Sequence, residues 1–509
     1  MDGELKKGRQ KNTTFINYLP ELACLLFLAG LYLYNSILIP RPTSYAGLFV
    51  QMADLLRQNA FVPPPFVPFY GPGGTPYVYP YLGFYLLAAA QTIGVGTFDY
   101  LRFVPPIFTM AALIAFYATV RLYSGNRYLA IMATLLTATS PVFFAYHAKS
   151  AGIVRAPALF FSLLALYLFS SALKLNKSKY FYALPGIFLG LTIMTHLTYA
   201  LFAALSLLFI AVWHFRRDSL EILGSLSIVG FLAVLISSPW WLCVINRHGL
   251  QIFGLVTQTH GTLFFTTIIT NPINFLKSLL FLLDFGNAFL MGAGILSATI
   301  FVGINRTFLP VWWVIIAIGV GESQRFSPLF AGWLTAELFW FSISTSNGAK
   351  LNRLRWWLSG ILLLSFCMLP LLQSIQKEES SLTDSFLSMA AWVKQSTPPD
   401  SSYFYLNDDK STAEWLPYFS QRTPTTAPWG SEWTGQYVRQ QAIFEKLSGC
   451  MAIQSLFCVN ELFHEYSLSP NYLILPLNYS ALIESLSSSS NFEQVFQNPD
   501  YAIFIPSVE

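Results

Sequence analysis

The sequence predicts an all-α polytopic bundle that crosses a membrane about eleven times, with interfacial helices, followed by a small mixed α/β domain on the far side. Three observations carry this. Of 509 residues, 54% are hydrophobic and 11% charged, and mean hydropathy is +0.51. A soluble globular chain carries roughly 25% charged residues, so this one has too few to wet a surface of its size. Apolar stretches near the roughly 20 residues that span a bilayer recur along most of the chain. Beyond residue 376 Ser, Asp, Glu, Asn and Pro take over, interrupted by the short β-rich runs YFYL, NYLILPL and YAIFIP. The expected domains are therefore a membrane domain over 1–375 and an extracytoplasmic soluble domain over 376–509.

The first span follows a basic segment holding Lys6, Lys7, Arg9 and Lys11. It has full span length and no small-residue cleavage site, so it reads as a retained helix rather than a signal peptide. The expected spans are 18–40, 102–121, 127–146, 155–173, 181–195, 198–214, 219–238, 286–303, 308–321, 328–345 and 353–375. Stretches 80–97 and 272–284 either span or lie in the interface. If 80–97 does not span, the basic clusters Lys6–Lys11, Arg121–Arg127, Lys174–Lys179, His214–Arg217, Asn305–Arg306 and Lys350–Arg355 share one face, the cytoplasm. That solution puts the N-terminus inside and 376–509 outside, in a multi-pass protein of the plasma (inner) membrane.

The largest outer loop, 41–101, opens with an amphipathic helix over Ser44–Asn59. It continues into FVPPPFVPFYGPGGTPYVYPYLGFYLL, whose Pro and Gly content forbids a regular helix. Irregular backbone near membrane depth needs cover from protein or a wet cavity, so the loop is expected to pack on the bundle as part of a site. The lipid bilayer is the expected partner; no basic, aromatic-interleaved stretch suggests nucleic acid. Cys24, Cys243 and Cys367 read as buried small hydrophobes. Cys450 and Cys458, with seven residues between them in the polar part, read either as a local disulfide or as two free thiols.

Charges on the outer side of an apolar bundle are costly and therefore candidates for function. Asp54 is either a solvated helix residue paired with Arg57 or a general base facing an enclosed cavity. Arg155 opens a span and either snorkels to the interface or binds a phosphate with its planar fork, joined by His147 and Lys149. His196 sits at a break between two apolar stretches, as a satisfied buried group or a functional imidazole. Beyond the bundle Trp415, Trp429 and Trp433 either pack a core or stack on sugar rings, with Glu414 and Glu432 beside them. No Gly-rich nucleotide loop, HExxH, paired CxxC or Ser-His-Asp constellation is present, so no metal ligand set is assigned.

Four passages bear a family likeness: GTPYVYPYLGFYLL followed by LRFVPPIFTMAALIAFYATVRLYSG; ATSPVFFAYHAKSAGIVRAPALFFSLLAL; GIFLGLTIMTHLTYALFA; and ISSPWWLCVINRHGL. In order and spacing the chain resembles the GT-C class of membrane glycosyltransferases, which includes protein O-mannosyltransferases and lipid A aminoarabinose transferases. The segment EWLPYFSQRTPTTAPWGSEWTG is similar to soluble parts appended to members of this class. The resemblance implies transfer of a sugar from a polyprenyl-phosphate carrier to a glycan, lipid or protein acceptor at the outer face. The displacement is inverting, with a carboxylate base and cationic or divalent-metal help for the leaving phosphate. Asp54 is then the base; Arg155, His147, Lys149 and His196 serve the donor phosphate; Trp429, Glu432 and Trp433 serve the acceptor. The chain departs from the class where an acid usually follows the first helix: Thr43, Ser44 and Tyr45 stand there, and Asp54 comes some ten residues later. That departure supports the rival reading of a catalytically inactive scaffold subunit. A lipid-carrier transporter is a second rival, disfavoured because the sequence shows no inverted repeat.

Overall fold

The computed structural model describes residues 18–175, 177–214, 219–259, 288–344 and 380–507. They form two compact units: one from Met1–Pro40, Phe103–Ser237 and Leu263–Lys377, the other from Arg41–Arg102, Ser238–Thr262 and Glu378–Glu509. Expected span 353–375, stretch 272–284, Cys367 and the basic clusters at 6–11 and 350–355 lie outside the described residues.

The first unit is helical. Each expected span from 18–40 to 328–345 falls on a helix, except 127–146, which is broken into Arg127–Ala138 and Pro141–His147. Among the described residues, five helices are long and apolar enough to cross a membrane: Leu19–Leu38, Thr97–Ser124, Gly152–Lys174, Leu197–His214 and Glu221–His248. Arg127–Ala138 and Pro141–His147 make a sixth span if the bent pair is counted as one; they meet at 71°. Lys179–Ile193, Ala288–Gly303 and Phe308–Gly319 are shorter apolar helices. Length and composition of the described residues thus support a multi-pass membrane protein.

The bend has a local cause. A residue before proline avoids the helical region, and Ser140 is extended at φ −66°, ψ 121°. Its hydroxyl then caps the next helix by accepting from Phe143 N. Elsewhere glycine sets how closely helices approach. A Cβ on Gly186 would lie 2.9 Å from Leu232 Cβ, and one on Gly190 would lie 2.7 Å from Ile236 Cβ. Gly186 and Gly190 form a small-xxx-small stripe, the contact that brings helices together where lipid removes the hydrophobic drive.

The second unit holds the Gly47–Gln58 helix, an irregular stretch with a two-stranded hairpin (Phe66–Val67 with Thr75–Pro76), and the Leu82–Thr92 helix. Leu82–Thr92 has 11 residues; at about 1.5 Å each it falls well short of a hydrocarbon core of roughly 30 Å. The C-terminal part contains a mixed sheet in the order Thr423–Pro424, Ser402–Tyr405, Tyr472–Pro476, Tyr501–Pro506, Phe492–Gln497. The first three strands run parallel, and Tyr501–Pro506 is antiparallel to both neighbours. Phe404, Leu473, Leu475, Ala502 and Phe504 face a core shared with Ile443, Leu447, Val459 and Leu482 of the covering helices. Cys450 and Cys458 are joined in a disulfide between the two helices Tyr437–Ile453 and Leu456–Tyr466, Cα atoms 5.5 Å apart. The N-terminal and C-terminal stretches of this unit are bound together: Arg41 donates to Leu382 O at 2.7 Å and pairs with Asp384.

Candidate functional site

In the first unit, Tyr146 and His147 end the short helix Pro141–His147, and Gly152–Lys174 starts five residues later. Gly152 makes this turn possible: a Cβ there would lie 2.2 Å from His147 O. The tight connection sets Arg155, in the first turn of the long helix, against Tyr146. Ser323–Arg325 brings a second arginine to the same ring. The guanidinium carbons of Arg155 and Arg325 lie 5.5 and 5.1 Å from the Tyr146 centroid. Both arginines are buried, at 8% and 4% exposure. The Tyr146 hydroxyl accepts from Gln324 Nε2 at 3.3 Å, so the turn carrying Arg325 also fixes the ring.

Two buried cations on one ring repel each other by on the order of 2 kcal/mol at an effective dielectric of about 20. Arg325 pairs with Glu322, which turns through the left-handed region at φ 58°. Arg155 sits at the positive end of its helix dipole, where a cation is disfavoured and an anion favoured. Both the helix start and the guanidiniums therefore favour an anion at this place.

The two histidines differ. His147 is fully buried; its Nδ1 donates to Phe143 O at 2.7 Å, which leaves Nε2 to accept from the Tyr199 hydroxyl at 2.7 Å. With both nitrogens engaged, His147 holds Tyr199 and the end of its helix rather than presenting a free donor. His196 is half-buried, packs edge-on to Tyr199 at 5.0 Å and approaches Arg325 at 3.5 Å. Lys149 is half-buried in the turn between the helices. Arg155, His147 and His196 thus gather around Tyr146, Tyr199 and Arg325. No role was assigned to Arg325, Tyr146 or Tyr199 from the sequence; the signal that could have found Arg325 is a charge set between two apolar stretches.

Asp54 lies in the second unit, half-buried on Gly47–Gln58. Its Oδ2 accepts from the Tyr418 hydroxyl at 2.9 Å and its Oδ1 from Gln91 Nε2 at 2.8 Å. Each oxygen keeps a lone pair for a further donor. The nearby acid is Glu414. Ala46, at the helix N-cap, has no side chain to offer. Glu414 supplies the cap from another helix: Oε2 accepts from Ala46 N (3.0 Å) and Gly47 N (2.7 Å), and Oε1 from Leu48 N (2.7 Å). Burial pushes its carboxyl up to about 7, against the opposing pull of those three amides. The same cause raises buried Glu432 to about 7. Trp433 packs edge-on to Tyr79 at 5.3 Å and is 3% exposed, whereas Trp429 remains half-buried beside Phe444. Of the three expected acceptor residues, Glu432 and Trp433 are therefore enclosed by packing. Among the described residues no group of three or more His, Cys, Asp or Glu side chains could hold a metal ion.

Residues 78–242 match the dolichyl-phosphate-mannose-protein mannosyltransferase family. No curated protein sequence matches the chain. Among solved structures, the oligosaccharyltransferase of Archaeoglobus fulgidus aligns with TM-score 0.58 and 15% identity, over 92% of this chain and 71% of that one. ArnT from Cupriavidus metallidurans, bound to undecaprenyl phosphate, aligns with TM-score 0.54 and 12% identity, over 95% and 97%. The arabinofuranosyltransferase AftD from Mycobacteria aligns with TM-score 0.56 and 14% identity, over 95% and 41%.

Proposed function

This chain has the fold of the GT-C glycosyltransferases, and we propose that it transfers a sugar from a polyprenyl-phosphate donor to an acceptor at the outer face of the plasma membrane. The observation that carries the reading is the pair Arg155 and Arg325 on Tyr146, at the start of Gly152–Lys174. Two guanidiniums and a helix N-terminus suit a phosphate that gains charge as its bond to the sugar breaks. Asp54 takes the proton of the acceptor hydroxyl as that oxygen attacks the anomeric carbon. The carbon–oxygen bond to the phosphate breaks, the polyprenyl phosphate leaves, and configuration inverts. Tyr418 and Gln91 hold the Asp54 carboxylate in one orientation. The 376–509 segment contributes to acceptor capture from the extracytoplasmic side. The support from relatives is of the same kind: ArnT holds undecaprenyl phosphate, and an archaeal oligosaccharyltransferase has been seen with dolichol phosphate and an inhibitory peptide.

The test is turnover of a radiolabelled polyprenyl-phosphate sugar by the protein in liposomes, with a panel of glycan, lipid and peptide acceptors. Asp54→Asn abolishes turnover but leaves polyprenyl-phosphate binding intact; unchanged turnover removes Asp54 from the reaction. The scaffold reading has its own observation: no acid stands at residues 43–45, and Asp54 already serves two donors. It predicts binding of the carrier lipid with no turnover on any acceptor.

A further inference from the structure

The helices Leu19–Leu38, Thr97–Ser124 and Arg127–Ala138 leave a crevice of about 130 Å³ between them. Its walls are apolar, from Leu25, Leu28, Leu113, Ile114 and Ile131, and Glu21 and Tyr117 stand at one end. Glu21 and Leu28 lie two helical turns apart, so the apolar part reaches about 10 Å from the carboxylate. Leu25 and Ile114 are 41% and 48% exposed, so the crevice opens on the outside of the bundle, where a membrane protein meets acyl chains.

The polar end is incomplete. Glu21 Oε1 accepts from the Tyr117 hydroxyl at 3.1 Å, with Arg121 Nη1 at 3.8 Å. Glu21 Oε2 is buried and finds no hydrogen-bond donor. Arg121 donates to the Tyr117 oxygen at 3.1 Å and leaves its side chain half exposed. A buried carboxylate oxygen without a donor costs free energy that a charged donor would recover. Beside it stands a cation with N–H groups to spare.

We propose that this crevice is a phospholipid site selective for an ethanolamine headgroup. One acyl chain lies along the apolar walls, the ammonium donates to Glu21 Oε2, and the phosphate meets Arg121. A choline headgroup has no N–H to give Glu21. An anionic lipid satisfies Arg121 but sets negative charge against the carboxylate. The site lies apart from the arginine pair and does not depend on any transferase activity.

The experiment is native mass spectrometry of the full chain released from nanodiscs holding equal parts of ethanolamine, choline and glycerol phospholipids. The wild type retains ethanolamine lipid over the other two by about tenfold or more, the scale of one hydrogen bond to a charged group. Glu21→Gln brings the ratio to about one while lipid is still retained. Leu25→Trp, at an exposed wall position, expels lipid of every headgroup. Equal retention by the wild type overturns the proposal, and so does a preference for glycerol lipid or a ratio that survives Glu21→Gln. The wild-type comparison stands even if a variant fails to fold.

Discussion

Glu414→Ala removes the acceptor for the amides of Ala46, Gly47 and Leu48, which lie in buried backbone with no local cap. An orphaned buried donor costs about 1–3 kcal/mol. Water entering the vacated space recovers part of the loss, so the expected destabilisation of the helix start is about 3 kcal/mol at pH 6. Amide hydrogen exchange, read on a peptide covering residues 44–56, measures this directly. Loss of 3 kcal/mol of opening free energy speeds exchange by about two orders of magnitude. Gly47→Ala tests the same joint from the other side, because its Cβ would meet Glu414 O at 2.8 Å and the Tyr70 hydroxyl at 2.9 Å. Exchange at these amides unchanged within a factor of three in both variants would refute the reasoning.

The pH dependence of that joint follows from the raised Glu414 carboxyl. Released, the group titrates near 4.5; folded, it titrates near 7. The folded state therefore binds the extra proton, and the joint is most stable below about pH 4.5 and weakens as pH rises to about 7, by on the order of 3 kcal/mol. Exchange rates, divided by the intrinsic rate of the free peptide at each pH, should rise over that window in the wild type and change less in Glu414→Gln, which mimics the protonated acid. Arg155→Ala and Arg325→Ala should each weaken polyprenyl-phosphate binding at least tenfold, with Lys restoring part of it, as isothermal titration in detergent would read; a wild-type affinity in both excludes the ring site. Gly152→Ala should lower binding without removing any charge, because a methyl group 2.2 Å from His147 O must separate the two helices. Cys450→Ser with Cys458→Ser should cost about 2–3 kcal/mol of stability, the value of closing a short loop, seen as a lower melting midpoint under non-reducing conditions.

Helix existence was legible because it depends on local terms. Apolar length is read from neighbours along the chain, and most helices formed where it places them; the break before Pro141 and the close approach at Gly186 and Gly190 emerged only from the structure. The YFYL, NYLILPL and YAIFIP runs likewise became strands, since their β-branched and aromatic content suits a pleated surface. Thr423–Pro424 and Phe492–Gln497 joined the sheet without such a run; they are edge strands, whose pairing is set by the neighbour more than by their own residues.

The sequence by itself determined a multi-pass membrane chain with a few charges set among its apolar stretches, and it singled out Arg155 and His196 because charge in apolar surroundings is costly wherever the chain goes. Only the tertiary structure decided that Arg325 shares a ring with Arg155, 170 residues away, that His147 is occupied by Phe143 and Tyr199, and that Glu414 caps a helix 366 residues upstream. The physical reason is range. Hydropathy and propensity act between residues a few positions apart. A hydrogen bond or an ion pair acts over about 3 Å of space and is blind to separation along the chain, so its partners are fixed only once the helices have packed.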